Sequence, residues 1–389
     1  MKRVVFLVAL LGYFYAECAG AVEFEVTRIT NNSVFDAEPR ISGEYVIWRQ
    51  EHGGEFDNNE IWLFDGTTAF QITQNNVLEW TQRIDGPNAV WARYDGPAAG
   101  WSHDWEVYYY NHDSQLTTRL TNNDYNDYHP ELSGSNVTWE ARVGGNSRDH
   151  EIMFFDGSAT RQLTDDSRED LSPRISGSSV VWQKNDGHDG EIYLFDGTNV
   201  SQLTNNEDDD AQAEISGSRV VWKRFDSDNS EIYLFDGGTE TRLTNNSFAD
   251  TKPRVTDTDV FWQGYDGTDY EIFRYDGTNT IQVTDNLFDD YLCGVSGSNA
   301  VWYGGGDDEA DYEVFFLDGA TGVTTRLTDN DYVDKDPWVS GYNVAWFARA
   351  PGAEIFMAKP VPEPATLAML GMGLVGLLVL AWRRKKKPA

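Results

Sequence analysis

Short apolar runs, separated by polar turns rich in Asp, Asn and Gly, recur from residue 26 to residue 358. Two runs illustrate the pattern: S-V-V-W at Ser179–Trp182 and E-I-Y-L-F at Glu191–Phe195. In the second, Ile192 and Leu194 point to one face of a strand and Tyr193 and Phe195 to the other. Both faces are apolar, as expected of a sheet stacked between two neighbouring sheets. Asp-Gly pairs such as Asp196-Gly197 and Asp236-Gly237 then reverse the chain. A short S-Q-L-T or T-R-L-T strand follows. The first strand of each set begins at a proline, as in Pro173–Ser176, and ends at a glycine, and the S-Q-L-T type is the fourth.

These four signals form a unit that repeats eight times. Each copy reads T-N-N-x-x-x-D-x-x-P-x-I-x-G-x-x-V-x-W, with substitutions. Its tryptophans (Trp48, Trp91, Trp139, Trp182, Trp222, Trp262, Trp302 and Trp346) each lie eighteen residues after an opening threonine. A period near forty residues with four strands per copy predicts a propeller blade. Thirteen residues after the threonine stands Gly43, Gly86, Gly134, Gly177, Gly217, Gly297 or Gly341; the sixth copy has Asp257, which also tolerates a left-handed turn. The last copy stops after its third strand, Glu354–Ala358, and the chain opens with an orphan fourth strand, Val26–Thr30. Pairing the two ends accounts for both irregularities and removes an exposed sheet edge. The fold expected is all-β: an eight-bladed propeller of four-stranded blades, closed by its N-terminal strand. The run from L-T through D-x-x-P, followed by E-I-Y, resembles the TolB-type (PD40) propeller repeat. The resemblance spans residues 26–358 and departs at the turn, where that family usually has W-S-P-D-G and this chain has I-S-G-S. It implies a blade and leaves function open, since propellers host many activities.

The two ends carry other signals. Residues 1–21 have a basic start (Lys2, Arg3), an apolar core and an A-x-A site at Ala19 and Ala21, as in a secretory signal peptide. Its removal takes Cys18 and leaves one thiol, Cys293, expected as a buried small residue. At the other end, Ala365–Trp382 is an uncharged, mostly apolar run long enough for a transmembrane helix, and the cations Arg383–Lys387 follow it. With Pro362-Glu363-Pro364 before it, segment 360–389 resembles a PEP-CTERM sorting tag. That resemblance implies recognition by an exosortase, anchoring in the inner membrane before cleavage near the motif, and transfer to the cell surface or extracellular matrix. Arg383 and Arg384 open the basic end of the tag. The propeller proper is then 22–359.

Charge narrows the partners. The chain carries a net −34, and the propeller without its end segments about −39. Nucleic acid is therefore excluded as a partner, because phosphate binding needs a basic face. Cations, glycans and envelope proteins stay open. An acidic residue six after each threonine (Asp36, Glu79, Asp127, Asp170, Asp210, Asp250, Asp290, Asp334) is expected to cap turns by accepting backbone N–H groups. The copies differ most between the tryptophan and the third-strand glutamate, the loop where a propeller places specificity. Closely spaced oxygens there, Asp226 and Asp228 or Asp266 and Asp269, suit Ca²⁺ without completing a known calcium loop. The longest such loop holds Trp101, His103 and Trp105; with Trp80, Tyr125 and Tyr128 it offers aromatic platforms suited to sugar stacking. No G-x-S-x-G elbow occurs, and the six histidines lack metal-ligand spacing. The expectation is a non-catalytic, surface-sorted binding or scaffold module; the alternatives are a polysaccharide-active enzyme of lyase type and a purely structural matrix component. Replacing Pro362, Glu363 and Pro364 by alanine is expected to hold the protein in the inner membrane with its C-terminal helix intact, as read by cell fractionation and intact mass. Normal surface delivery of that variant, with the helix removed, would refute the sorting assignment.

Overall fold

The computed structural model describes residues 21–361, apart from 52–57, 76, 97–103, 144–148, 227–228, 306–310 and 351. The expected leader, the expected helix and the sorting residues Pro362, Glu363, Pro364, Arg383 and Arg384 lie outside the described residues. Eight four-stranded antiparallel sheets follow one another along the chain. The first blade runs Phe35–Ser42, Tyr45–Glu51, Asn59–Phe64 and Ala69–Gln71 from the axis outwards. The eighth is built from Asp334–Ser340, Asn343–Ala348 and Glu354–Pro360, and its outer strand is Phe24–Arg28 from the other end of the chain. The closing ladder is antiparallel, from Phe24 opposite Pro360 to Arg28 opposite Phe356. It begins two residues earlier than the sequence pattern suggests, and Ile29 and Thr30 leave it by donating to the Ile355 carbonyl. Arg28 and the Thr30 hydroxyl then both reach Glu354 (2.6 Å each).

The core consists of eight seams rather than one centre. In each seam the tryptophan of one blade meets apolar residues of the blade before it: Trp91 meets Ile47 and Ile61, and Trp222 meets Val181 and Ile192. Trp48 packs on Ile355 and Met357, so the first and last blades share a seam like the others. All eight tryptophans are essentially buried. Seven of them stack on an aromatic ring of their own third strand, at centroid distances of 5.8–6.1 Å. In the third blade that partner is Met153.

Polar side chains complete each blade. The carboxylates six residues after the threonine do not cap backbone, contrary to expectation. They sit on the inner strand, buried, and accept from side chains. In six blades the Asp accepts the indole N–H of its own blade's tryptophan at 2.7–2.9 Å. In seven the acid, six aspartates and Glu79, accepts the amide of the asparagine four residues earlier. Backbone capping falls instead to the third-strand glutamates. All eight accept the N–H two residues after the threonine, at 2.7–3.1 Å. The threonine hydroxyl in turn accepts the N–H of the residue after the glutamate, at 2.8–2.9 Å.

The seven turn glycines all have φ between 55° and 61°, which explains the residue type. Asp257 does not adopt that conformation. The sixth blade closes a turn of the same length by Thr256 N–H to the Asp259 carbonyl, and the Asp257 carboxylate accepts the Ser216 hydroxyl of the preceding blade at 2.6 Å.

Two predictions follow from closure and burial. Deleting Val22–Asn32 exposes a ladder and strips Glu354 of its partners, and should lower stability by roughly 3–6 kcal/mol. An unchanged melting temperature would mean that the ring closes some other way. Burial, against the bonds from Asn123 and Trp139, pushes the Asp127 carboxyl up to about 7. In the same way Glu79 is pushed up to about 7, and Asp250 and Asp334 to about 6. A carboxyl raised on folding contributes stability below its unfolded pKa and loses it as pH rises through the folded value. The propeller should therefore melt higher at pH 5 than at pH 8, by about 1–3 kcal/mol per raised carboxyl. Asp127→Asn should flatten that slope, and a melting temperature that climbs towards pH 8 would contradict it.

Candidate functional site

The innermost strands surround an axial channel, a cavity of about 580 Å³. Ten residues after each threonine stand, in blade order, Arg40, Arg83, Glu131, Arg174, Glu214, Arg254, Gly294 and Trp338, and all but the glycine line the channel. Five of these form one chain of ion pairs: Arg83–Glu131 at 2.9 Å, Glu131–Arg174 at 3.5 Å, Arg174–Glu214 at 3.2 Å and Glu214–Arg254 at 2.6 Å. Arg40 stands apart from that chain, with its guanidinium 4.3 Å above the Trp338 ring. Burial and the neighbouring Arg83 push its pKa down to about 9. The glycine at the seventh blade is a matter of space, since a Cβ on Gly294 would lie 3.1 Å from the Val339 nitrogen. The axis is thus lined by more positive than negative charge inside a strongly acidic protein.

A bulge in every inner strand sets the entrance to this channel. It places Glu38, Thr81, His129, Ser172, Gln212, Lys252 and Asp336 in the left-handed region, φ 46–56°. Residues without that freedom cost of order 1 kcal/mol there. His129 uses the bend to reach Glu140 at 3.2 Å, and His150 approaches the same carboxylate at 3.6 Å. Although burial pushes Glu140 up, its bonds from the two histidines hold it at about 2, and Glu140 in turn raises the His129 pKa. Histidine spacing along the chain does not show this pairing, because the carboxylate that joins the two lies on the adjoining strand. Cys293 sits in the seventh bulge, half-buried, with its thiol pushed up to about 12 by burial and by Asp336.

The aromatic platform divides. Trp80, about half exposed, lies 6.5 Å from Trp105, and Trp105 lies 5.8 Å from Tyr94. Arg49 of the first blade approaches Trp80 at 5.9 Å. Tyr128 belongs to a second patch and stacks on His150 at 6.3 Å. Tyr125, half-buried, packs against the seam around Trp139 and lies apart from both patches. Trp101 and His103 lie outside the described residues.

The acidic loops also separate. Asp226 pairs with Arg242 at 2.9 Å, and Asp228 lies outside the described residues. Asp266 and Asp269 do come together, and Glu271 joins them, with one oxygen of each carboxylate within 4.8 Å of the others. The sequence pattern did not single out Glu271, nor the matching group Asp186, Asp189 and Glu191 in the fourth blade.

Comparison with known proteins agrees with this architecture. The sequence matches no functionally curated protein. Among solved structures, the β-propeller domain of the Trilobed protease from Pyrococcus furiosus, described as having an open velcro topology, superposes with a TM-score of 0.54 at 12% identity. The match covers 77% of this chain and 99% of that domain. A pair of prolyl endopeptidases gives 0.57 at 10% identity, over 81% of this chain and 54% of theirs. Porphyromonas gingivalis dipeptidyl peptidase 4 gives 0.55 at 12% identity, over 87% and 57%. This chain thus spans little more than half the length of those two peptidases. At such identities the likeness carries the fold alone. Residues 360–385 match the PEP-CTERM protein-sorting motif, a recognised exosortase signal that implies export and membrane-anchored processing. The chain is an eight-bladed β-propeller protein that ends in a PEP-CTERM sorting motif.

Proposed function

We propose that the propeller is a non-catalytic binding module of the cell envelope or extracellular matrix, and that it takes a glycan on the shelf formed by Trp80, Tyr94 and Trp105. The observation that carries this reading is the half-exposed Trp80 beside Trp105 on one rim of the ring. A large aromatic left in water beside a second one costs solvation, and a flat sugar face regains it by stacking. The shelf sits in the second blade, where the loop after the tryptophan is longest. A second reading, an enzyme acting on polysaccharide, draws on His129 and His150 converging on Glu140. Such a site pairs a proton carrier with a group that orients it.

Glycan-array screening followed by calorimetry, with a turnover assay on the ligands found, separates the readings. Trp80→Ala and Trp105→Ala should each weaken binding by roughly 1–3 kcal/mol while the fold persists. Asp127→Ala should do the opposite, lowering the melting temperature and sparing affinity. Turnover abolished by His129→Ala would favour the enzyme. Unaltered affinity in both tryptophan variants would remove the shelf from the site.

A further inference from the structure

Four blades carry an aspartate four residues after their tryptophan: Asp95, Asp186, Asp226 and Asp266. In each, this carboxylate shares a loop with the buried third-strand glutamate. Two of the four neutralise the pair with an arginine from the fourth strand, two residues before the next threonine. Arg119 reaches Asp95 at 3.3 Å and Glu106 at 2.8 Å. Arg242 reaches Asp226 at 2.9 Å and Glu231 at 3.1 Å. In the fourth and sixth blades that position is Gln202 and Gln282. The guanidinium is gone, yet an acid still stands two residues before the glutamate, Asp189 or Asp269, as Asp104 does in the arginine-bearing second blade.

The result is three carboxylates gathered with no salt-bridge partner among the described residues, although Arg168 and His188 stand near the fourth-blade group. Asp269 is 7% exposed, and neither of its carboxylate oxygens has a hydrogen-bond partner; Glu271 Oε2 likewise has none. Asp266 is already turned in by the N–H groups of Thr268 and Asp269. The Tyr270 N–H is tied to Asp289 of the next loop at 2.9 Å, which pins the floor. The fourth blade repeats the turn and the floor, since His188 and Asp189 donate to Asp186 and Gly190 donates to Asp209 at 2.9 Å. There Asp189 is half-buried with only its Oδ1 unpartnered, and Glu191 Oε2 accepts the Thr204 hydroxyl. Three like charges this close repel strongly at reduced dielectric unless a cation lies between them. Among the described residues, only these two blades hold such a triad. Oxygens up to 4.8 Å apart match a sphere of radius about 2.4 Å, the bond length of Ca²⁺ to oxygen.

We propose that the fourth and sixth blades each bind one Ca²⁺, through Asp186, Asp189 and Glu191 and through Asp266, Asp269 and Glu271. The ion takes the place that a guanidinium fills in the second and fifth blades. All donors are hard oxygens on loops, which suits calcium over softer metals. The assignment does not depend on the glycan reading.

Calorimetric titration of the full-length protein, purified in detergent and stripped with chelator, tests it with calcium alone as the probe. The wild type should bind two ions per chain, with dissociation constants of order 10⁻⁴ M as in extracellular modules. Asp269→Asn should bind one, and Asp269→Asn with Asp189→Asn none. Gln282→Arg restores the guanidinium of the fifth blade and should likewise leave one ion, with the fold supported by its own ion pair. Asp226→Asn should still bind two. Absence of binding by the wild type would overturn the proposal. So would two ions in both Asp269→Asn and Gln282→Arg, or an equal loss in Asp226→Asn.

Discussion

The interaction on which the blade depends is the bond from a buried indole N–H to the carboxylate that faces it. The tryptophan is the largest side chain in each seam, and its ring must lie flat against the third strand to fill it. One oxygen of the aspartate fixes that orientation, as Asp210 does for Trp222 at 2.9 Å. The other oxygen holds the asparagine that shapes the entering loop, as Asp210 does for Asn206 at 2.7 Å. Packing between blades and the path of the loop above them are therefore set by a single group. A buried N–H left without an acceptor costs about 1–3 kcal/mol. The second blade accepts that cost. Its acid is the longer Glu79, which turns to Thr73 and Asn75, and the Trp91 N–H has no partner. The same blade carries the longest loop after its tryptophan and the half-exposed Trp80, and departures from a repeat's own rule tend to gather where a protein has other work to do.

Around that constant frame, charge is arranged blade by blade. Every third-strand glutamate is buried and tied to a threonine loop, so each blade faces the same electrostatic problem. Arg28, Arg119, Arg242 and Arg326 answer it directly in four blades. The glutamine blades must do otherwise. The axis shows the same logic with side chains of both signs: Arg83, Glu131, Arg174, Glu214 and Arg254 neutralise one another around the ring, and Arg40 rests on Trp338 instead.

The propeller was legible because its strands and turns follow local rules that recur at fixed offsets. The Trp and Thr spacing, the two-faced apolar strands and the orphan strand at the start needed no knowledge of contacts. Partners across a ladder were less legible. Asp127 was read against its nearest backbone, yet its acceptor role is to Trp139, twelve residues on and across a hairpin with a bulge. The constant twelve-residue spacing between acid and tryptophan held that information. Tyr125 looked like a platform because loop position says nothing of which way a ring turns. Trp80 and Trp105 did come together, since they sit at the same end of the two strands that flank Asn88–Tyr94. The fourth-blade acids were passed over because a single loop, NDGHDGE, shows three acids but not the missing arginine one strand away.

The position of the carboxyl-terminal strand has a mechanical consequence. Glu354–Pro360 is not an edge: Phe24–Arg28 flanks it on one side and Asn343–Ala348 on the other. The chain leaves this strand at Val361, whose N–H still donates to the Glu23 carbonyl, and the sorting motif begins there. Tension applied through a tethered tail enters a strand gripped along both flanks. Drawing that strand out along its axis must shear two ladders together, whereas an edge strand would give way along one. The ring is thus fastened along both flanks at the place where a tether would pull.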